Sequence, residues 1–141
     1  MENKSDNIIV KLIVQHRTLQ SDLGIVADEI EKPKISASLI NESLRKFSAD
    51  LEEHLKLEND YFYVELIKQM KASGQNTVNT EAFIAEMGTI GVAVKTFLGK
   101  YSSASSIDEG IDEFIDEFAS IVETLNMRIE VEETGVYLYW K

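Results

Sequence analysis

Four stretches of this chain place apolar residues at alternating spacings of three and four, and 141 residues carrying four such stripes have few ways to bury them all. The first stripe runs through Leu12, His16, Leu19, Leu23, Val26 and Ile30. The second takes Ile40, Leu44, Phe47, Leu51, His54, Glu58 and Tyr61, and the third Phe83, Met87, Ile90, Val94, Phe97 and Tyr101. The fourth takes Ile107, Ile111, Phe114, Phe118, Ile121, Leu125, Arg128 and Glu132. Helix stops fall between them: Lys32-Pro33-Lys34, the Ser73 to Asn79 stretch with Gly74, and Tyr101 to Ser106. Ser106 and Glu109 have the spacing of a capping box, which predicts that the last helix starts at Ile107. Short connections between long helices force antiparallel neighbours. The expected architecture is therefore all-α, an antiparallel up-down-up-down four-helix bundle forming one domain over residues 1–141, with helices near 6–31, 35–72, 80–101 and 107–134.

The two halves are related by a weak repeat. At an offset of 74, Phe47, Leu51, Phe62 and Tyr63 match Ile121, Leu125, Val136 and Tyr137, and the His54/Glu58 pair matches Arg128 and Glu132. At an offset of 71, Leu12, His16 and Leu19 match Phe83, Met87 and Ile90. One half thus carries two histidines and a carboxylate on its stripes, while the other keeps a single carboxylate.

Ionisable groups on an apolar seam must be paired, coordinated or hydrogen-bonded. His16, His54, Glu58, Arg128 and Glu132 all fall on seams, and counting turns from the connections brings them to similar depth. A lone seam histidine is ordinarily a core residue with a satisfied ring. A second histidine with a carboxylate at i+4 on the facing helix shifts the balance toward a ligand set. Arg128 has two readings: a guanidinium in water above a buried stem, or a fork bonded to Glu58 or Glu132 in the interior.

Charge and composition remove several classes. A net charge of -11 disfavours binding to nucleic acid or to an anionic membrane surface. Without cysteine there is no disulfide, thiolate site or cysteine nucleophile, which fits a reducing compartment. No signal peptide or membrane span is expected, and the cytoplasm is the expected location. No phosphate loop, nucleophile elbow or Ser-His-Asp arrangement can be placed, so enzymatic hydrolysis has no support. The acidic start of the last helix, Asp108 to Glu117, reads as a solvated face or a docking face for a basic partner. The aromatic C-terminus, Val136 to Trp140, reads as a cover over the bundle end or a contact to a protein partner or second copy.

His16, His54-x-x-x-Glu58 trailing into Tyr61-Phe62-Tyr63, and Glu132 trailing into Val136-Tyr137 make the chain resemble the hemerythrin-like, HHE cation-binding family over nearly its whole length. The resemblance implies a non-haem di-iron site in which His16 and His54 serve one iron and Glu58 and Glu132 bridge. Met87 and Arg128 stand where it implies two further histidines, so an intact di-iron centre and oxygen carriage are not expected. The expected function is a metal-free interaction or regulatory module, more a binding protein than an enzyme. The alternative is a mononuclear site for iron or another divalent metal, held by His16, His54, Glu58 and Glu132, with a redox or oxygen-sensing role.

Overall fold

The computed structural model describes residues 4–141, with side chains from Ile8 onward, and every regular element among them is helical. Helix α1 spans Lys4–Ile30. Helix α2, Ala37–Leu57, passes through a π-turn at Glu58–Phe62 into α3, Tyr63–Ala72, so helix is unbroken from Ala37 to Ala72. Helix α4 spans Val78–Lys100; α5, Ala104–Glu109, and α6, Ile111–Thr134, follow on either side of Gly110. A 3-10 turn at Val136–Tyr139 ends the regular structure.

The connections are built from recognisable local chemistry. After α1 the buried carboxylate of Glu29 accepts hydrogen bonds from Lys32 Nζ and from the Ser36 backbone N–H, both at 2.9 Å, drawing the Pro33 turn against the helix end. Ser36 then caps α2 by accepting from the Leu39 N–H. At the end of α3, Gly74 takes a φ of 75°, the left-handed conformation that favours glycine, and its N–H and that of Gln75 bond back to Lys71 and Met70.

The cap before the last segment differs from the sequence expectation. Ser103, not Ser106, is the N-cap: its backbone is extended, its side chain accepts from the Ser106 N–H, and Ser106 Oγ accepts from the Ser103 N–H in return. A serine serves as well as a glutamate at the third position when the two hydroxyls are this close, so the helix begins three residues earlier than the Ser106–Glu109 spacing predicts. The run is also interrupted at Gly110.

Two apolar clusters fill the interior. One gathers Leu19, Leu23, Phe47, Leu51, Val94, Phe97, Phe114, Phe118 and Leu125; the other gathers Ile8, Leu12, Phe62, Tyr63, Leu66, Phe83, Val136 and Tyr137. Along α1 the change falls between Leu12 and Leu19, along α2 between Leu51 and Phe62, and along α6 and the 3-10 turn between Leu125 and Val136. Each gap holds ionisable residues: His16, then His54 and Glu58, then Arg128 and Glu132. A polar layer therefore separates two dry cores.

Helix α4 closes this layer loosely. Phe83, Val94 and Phe97 are buried, but Met87 and Ile90 between them are only half-buried. By length and composition alone α4 is apolar enough to cross a membrane, and only 17% of its most apolar window is buried. At the C-terminus Val136 and Tyr137 are buried and Trp140 packs on Phe62 with ring centroids 5.1 Å apart, while Leu138 and Tyr139 face outward.

Candidate metal centre

His16, His54, Glu58 and Glu132 meet in the polar layer, all buried, each offering one donor atom within 4.8 Å of the others. Helix periodicity supplies the first part of the arrangement, because His54 and Glu58 one turn apart share a face. The π-turn starting at Glu58 supplies the next. The Tyr63 N–H bonds to the Glu58 carbonyl five residues back, and Phe62 and Tyr63 beside this π-turn are both buried. Gly135 supplies the last. A Cβ there would lie 2.9 Å from the Val131 carbonyl oxygen, and the bare glycine lets the chain fold back so that Tyr137 enters the layer.

The two imidazoles are held from outside. His16 Nδ1 donates to Glu133 Oε2 at 2.6 Å, and Glu133 is itself paired to Arg17. His54 Nδ1 donates to Gln15 Oε1 at 2.7 Å. With the proton on Nδ1, each Nε2 presents a lone pair to the interior. His54 Nε2 lies 3.0 Å from Glu58 Oε1, and His16 Nε2 lies 3.0 Å from Glu132 Oε1. Neither contact is aligned as a hydrogen bond, and Glu58 Oε1 is buried without any hydrogen-bond partner.

Two tyrosines complete the layer. Tyr63 Oη donates to Glu132 Oε2 at 2.5 Å. Tyr137 Oη lies 2.9 Å from Glu132 Oε1, 3.2 Å from Glu58 Oε2 and 3.3 Å from His16 Nε2, so three acceptors compete for one hydroxyl proton. The Tyr137 ring is stacked on that of His16.

The electrostatics follow from burial. Desolvation, helped by His16, lowers His54 to about 4 against the pull of Glu132, which leaves it neutral at neutral pH. Desolvation and the charge of Glu132 raise the Glu58 carboxyl well above the usual range, against the Tyr137 and Tyr63 hydroxyls. Burial also opposes ionisation of Glu132, but contacts with His16, Glu58 and Tyr63 outweigh it and hold that carboxyl down. Burial and the two carboxylates push both tyrosine hydroxyls up.

Arg128 is elsewhere. The guanidinium pairs with Glu86 at 2.6 Å, part-exposed, and stacks over Phe83 at 5.5 Å, so it bonds to neither Glu58 nor Glu132. Its long stem lets a seam position send the charge outward to water, and Glu86 on α4 meets it there. Beside Met87 and Arg128 lies a cavity of about 30 Å³, also bounded by His16, His54 and Glu132.

Inward-facing imidazole lone pairs beside carboxylate oxygens, with an orphaned buried oxygen among them, repel one another unless a proton or a cation lies between. The donor set, two imidazoles and two carboxylates, fits a first-row divalent ion. Gln15, Glu133, Tyr63 and Tyr137 were not legible as site residues from their stripes. The tyrosines were signalled only by the repeat, which aligns Tyr63 with Tyr137, and by their places just after the two His54/Glu58 and Arg128/Glu132 segments; both hydroxyls reach Glu132.

Neither a curated protein nor a solved structure matches the chain significantly. The family described as hemerythrin HHE cation binding domain matches residues 7–139. That match spans all four donor residues and nearly the whole helical run, and the chain belongs to the hemerythrin HHE cation-binding domain family.

Proposed function

We propose that this chain is a degenerate hemerythrin-like domain that holds one metal ion, iron before other divalent metals, at His16, His54, Glu58 and Glu132. The fold in this reading is a four-helix bundle of α1, α2–α3, α4 and α5–α6 in up-down-up-down order. One observation carries the assignment: His16, His54, Glu58 and Glu132 are all buried, each with a donor atom within 4.8 Å of the others, and no other described residue donates to Glu58 Oε1, 3.0 Å from His54 Nε2. A metal-free interior closed by Arg128 would have supplied the missing donor. Arg128 is instead bonded to Glu86, so it does not close the interior.

The residues have separable tasks. His16 and His54 bind as neutral imidazoles, their orientation set by Glu133 and Gln15. Glu58 and Glu132 neutralise a dication, and Glu58 gives up its proton when one enters. Tyr63 fixes the outer oxygen of Glu132. The two dry cores on either side exclude water from the layer. An iron ion bound here supplies one-electron redox chemistry. Met87 and Arg128 offer no ligand for a second ion, so reversible two-iron oxygen carriage is outside this reading.

Thermal unfolding with and without ferrous iron, under anaerobic conditions, tests the assignment. Ligand bound only to the folded state stabilises by about 2.7 kcal/mol at 100 times its dissociation constant. The wild-type midpoint should rise by several degrees, and that of His54→Ala should not respond. An equal response in both proteins would place the ion elsewhere.

A further inference from the structure

Tyr137 stands closer to the donor atoms than a supporting residue needs to. Donors around one first-row ion, at bond lengths of about 2.1 Å, stand about 3.0 to 3.4 Å from their neighbours. The hydroxyl oxygen of Tyr137 meets that spacing twice, at 3.2 Å to Glu58 Oε2 and 3.3 Å to His16 Nε2, and stands slightly closer, at 2.9 Å, to Glu132 Oε1. Tyr63 differs, since its hydrogen bond to the layer goes to Glu132 Oε2, the oxygen Tyr137 does not touch. The repeat therefore produces two tyrosines with different reach: Tyr137 stands beside three of the donor residues, whereas Tyr63 hydrogen-bonds Glu132 and lies near Glu58 without approaching His16.

We propose that Tyr137 is a metal ligand, whose phenolate oxygen joins His16, His54, Glu58 and Glu132 around a ferric ion. This rests on the single-metal reading of the same site. Charge supports it. Two carboxylates balance a ferrous ion, and a ferric ion beside the same pair leaves one uncompensated positive charge in a buried layer, a costly arrangement. A phenolate at Tyr137 restores neutrality. The step balances as written: ferrous iron loses one electron to an added oxidant, the Tyr137 O–H bond breaks with its proton released to solvent, and an iron–oxygen bond forms. Placement of the ring depends on Gly135, whose missing Cβ permits the reversal after α6.

The test loads wild type, Tyr63→Phe and Tyr137→Phe with ferrous iron anaerobically, measures bound iron, and oxidises each with one equivalent of ferricyanide, which is reduced to ferrocyanide. Wild type should develop a visible phenolate-to-iron charge-transfer band whose resonance Raman spectrum shows tyrosinate ring modes. Tyr63→Phe should keep the band, and Tyr137→Phe should hold iron without it. The wild-type Raman spectrum needs no variant, so a poorly folded Tyr137→Phe does not rescue the proposal. Wild type with one ferric ion and no tyrosinate modes overturns the tyrosine ligand and leaves the single-metal site standing. A band that survives in Tyr137→Phe but is lost in Tyr63→Phe overturns the assignment of the residue. Failure of the wild type to bind iron removes the site and the ligand together.

Discussion

The polar layer has two unlike walls. On the α1 and α2 side, His16, His54 and Glu58 face inward, and each imidazole is oriented by a bond to Glu133 or Gln15. On the α4 side, Met87 is half-buried, Arg128 of α6 reaches outward to Glu86, and a small cavity remains between them and the candidate donor residues. Only Glu132 and Tyr137 enter from the second half. The donor residues that keep outward hydrogen bonds face inward in order, while the side lacking such groups holds a small void and a part-exposed ion pair.

Rebuilding the weaker wall should have the largest effect. Met87 and Arg128 border the same cavity as His16, His54 and Glu132, so Met87→His with Arg128→His places two imidazoles beside existing carboxylates. The double variant is expected to raise iron uptake from one ion per chain to two, read by metal analysis after dialysis. A folded double variant that still takes one ion would show that the cavity does not superimpose on a second metal position.

Weakening the stronger wall comes next. Glu133→Gln leaves His16 in place but replaces the carboxylate behind it with an amide, and outer partners of this kind are worth about 10- to 100-fold in metal affinity. Competition against a chromophoric chelator with zinc should show a loss in that range. An unchanged affinity would mean the Glu133 bond does not orient His16.

Proton linkage gives a smaller and signed effect in the metal-free protein. Glu58 is raised in the folded state, so the unfolded chain ionises first, near its ordinary value of 4.5, and stability falls as pH rises above it. Glu58→Gln removes that loss. The metal-free variant should melt higher than wild type at pH 7, with the gain disappearing below about pH 4.5, the ordinary carboxyl value. A lower midpoint at pH 7 would show that the Glu58 carboxyl is favoured as an anion without metal.

Arg128→Ala should matter least. A part-exposed ion pair contributes at most about 1 kcal/mol, and the guanidinium touches no donor atom. The unfolding midpoint should move little and zinc affinity by less than a few-fold. A large loss in either would return Arg128 to the interior.

Most of the helical pattern was legible because burial imposes its period on the chain. The stripe residues Leu12, Leu44, Phe47, Val94 and Phe114 are all buried, and His16, His54, Glu58 and Glu132, which the structure brings together, stood out as polar interruptions at matched depth. Three features were not. Arg128 occupies a seam position, but a side chain with four rotatable bonds does not end where its Cβ points. The π-turn depends on whether Phe62 and Tyr63 both find room in the core, which only tertiary packing decides; their adjacency after His54-x-x-x-Glu58 was the available hint. Tyr137 followed from the turn at Gly135, whose direction no periodicity encodes.

Binding of one ion by His16, His54, Glu58 and Glu132 is tested most directly by equilibrium dialysis of the wild-type protein against ferrous iron under anaerobic conditions. Uptake should saturate at one ion per chain and be lost in His54→Ala. Saturation at two ions, or no retained iron at all, would contradict it.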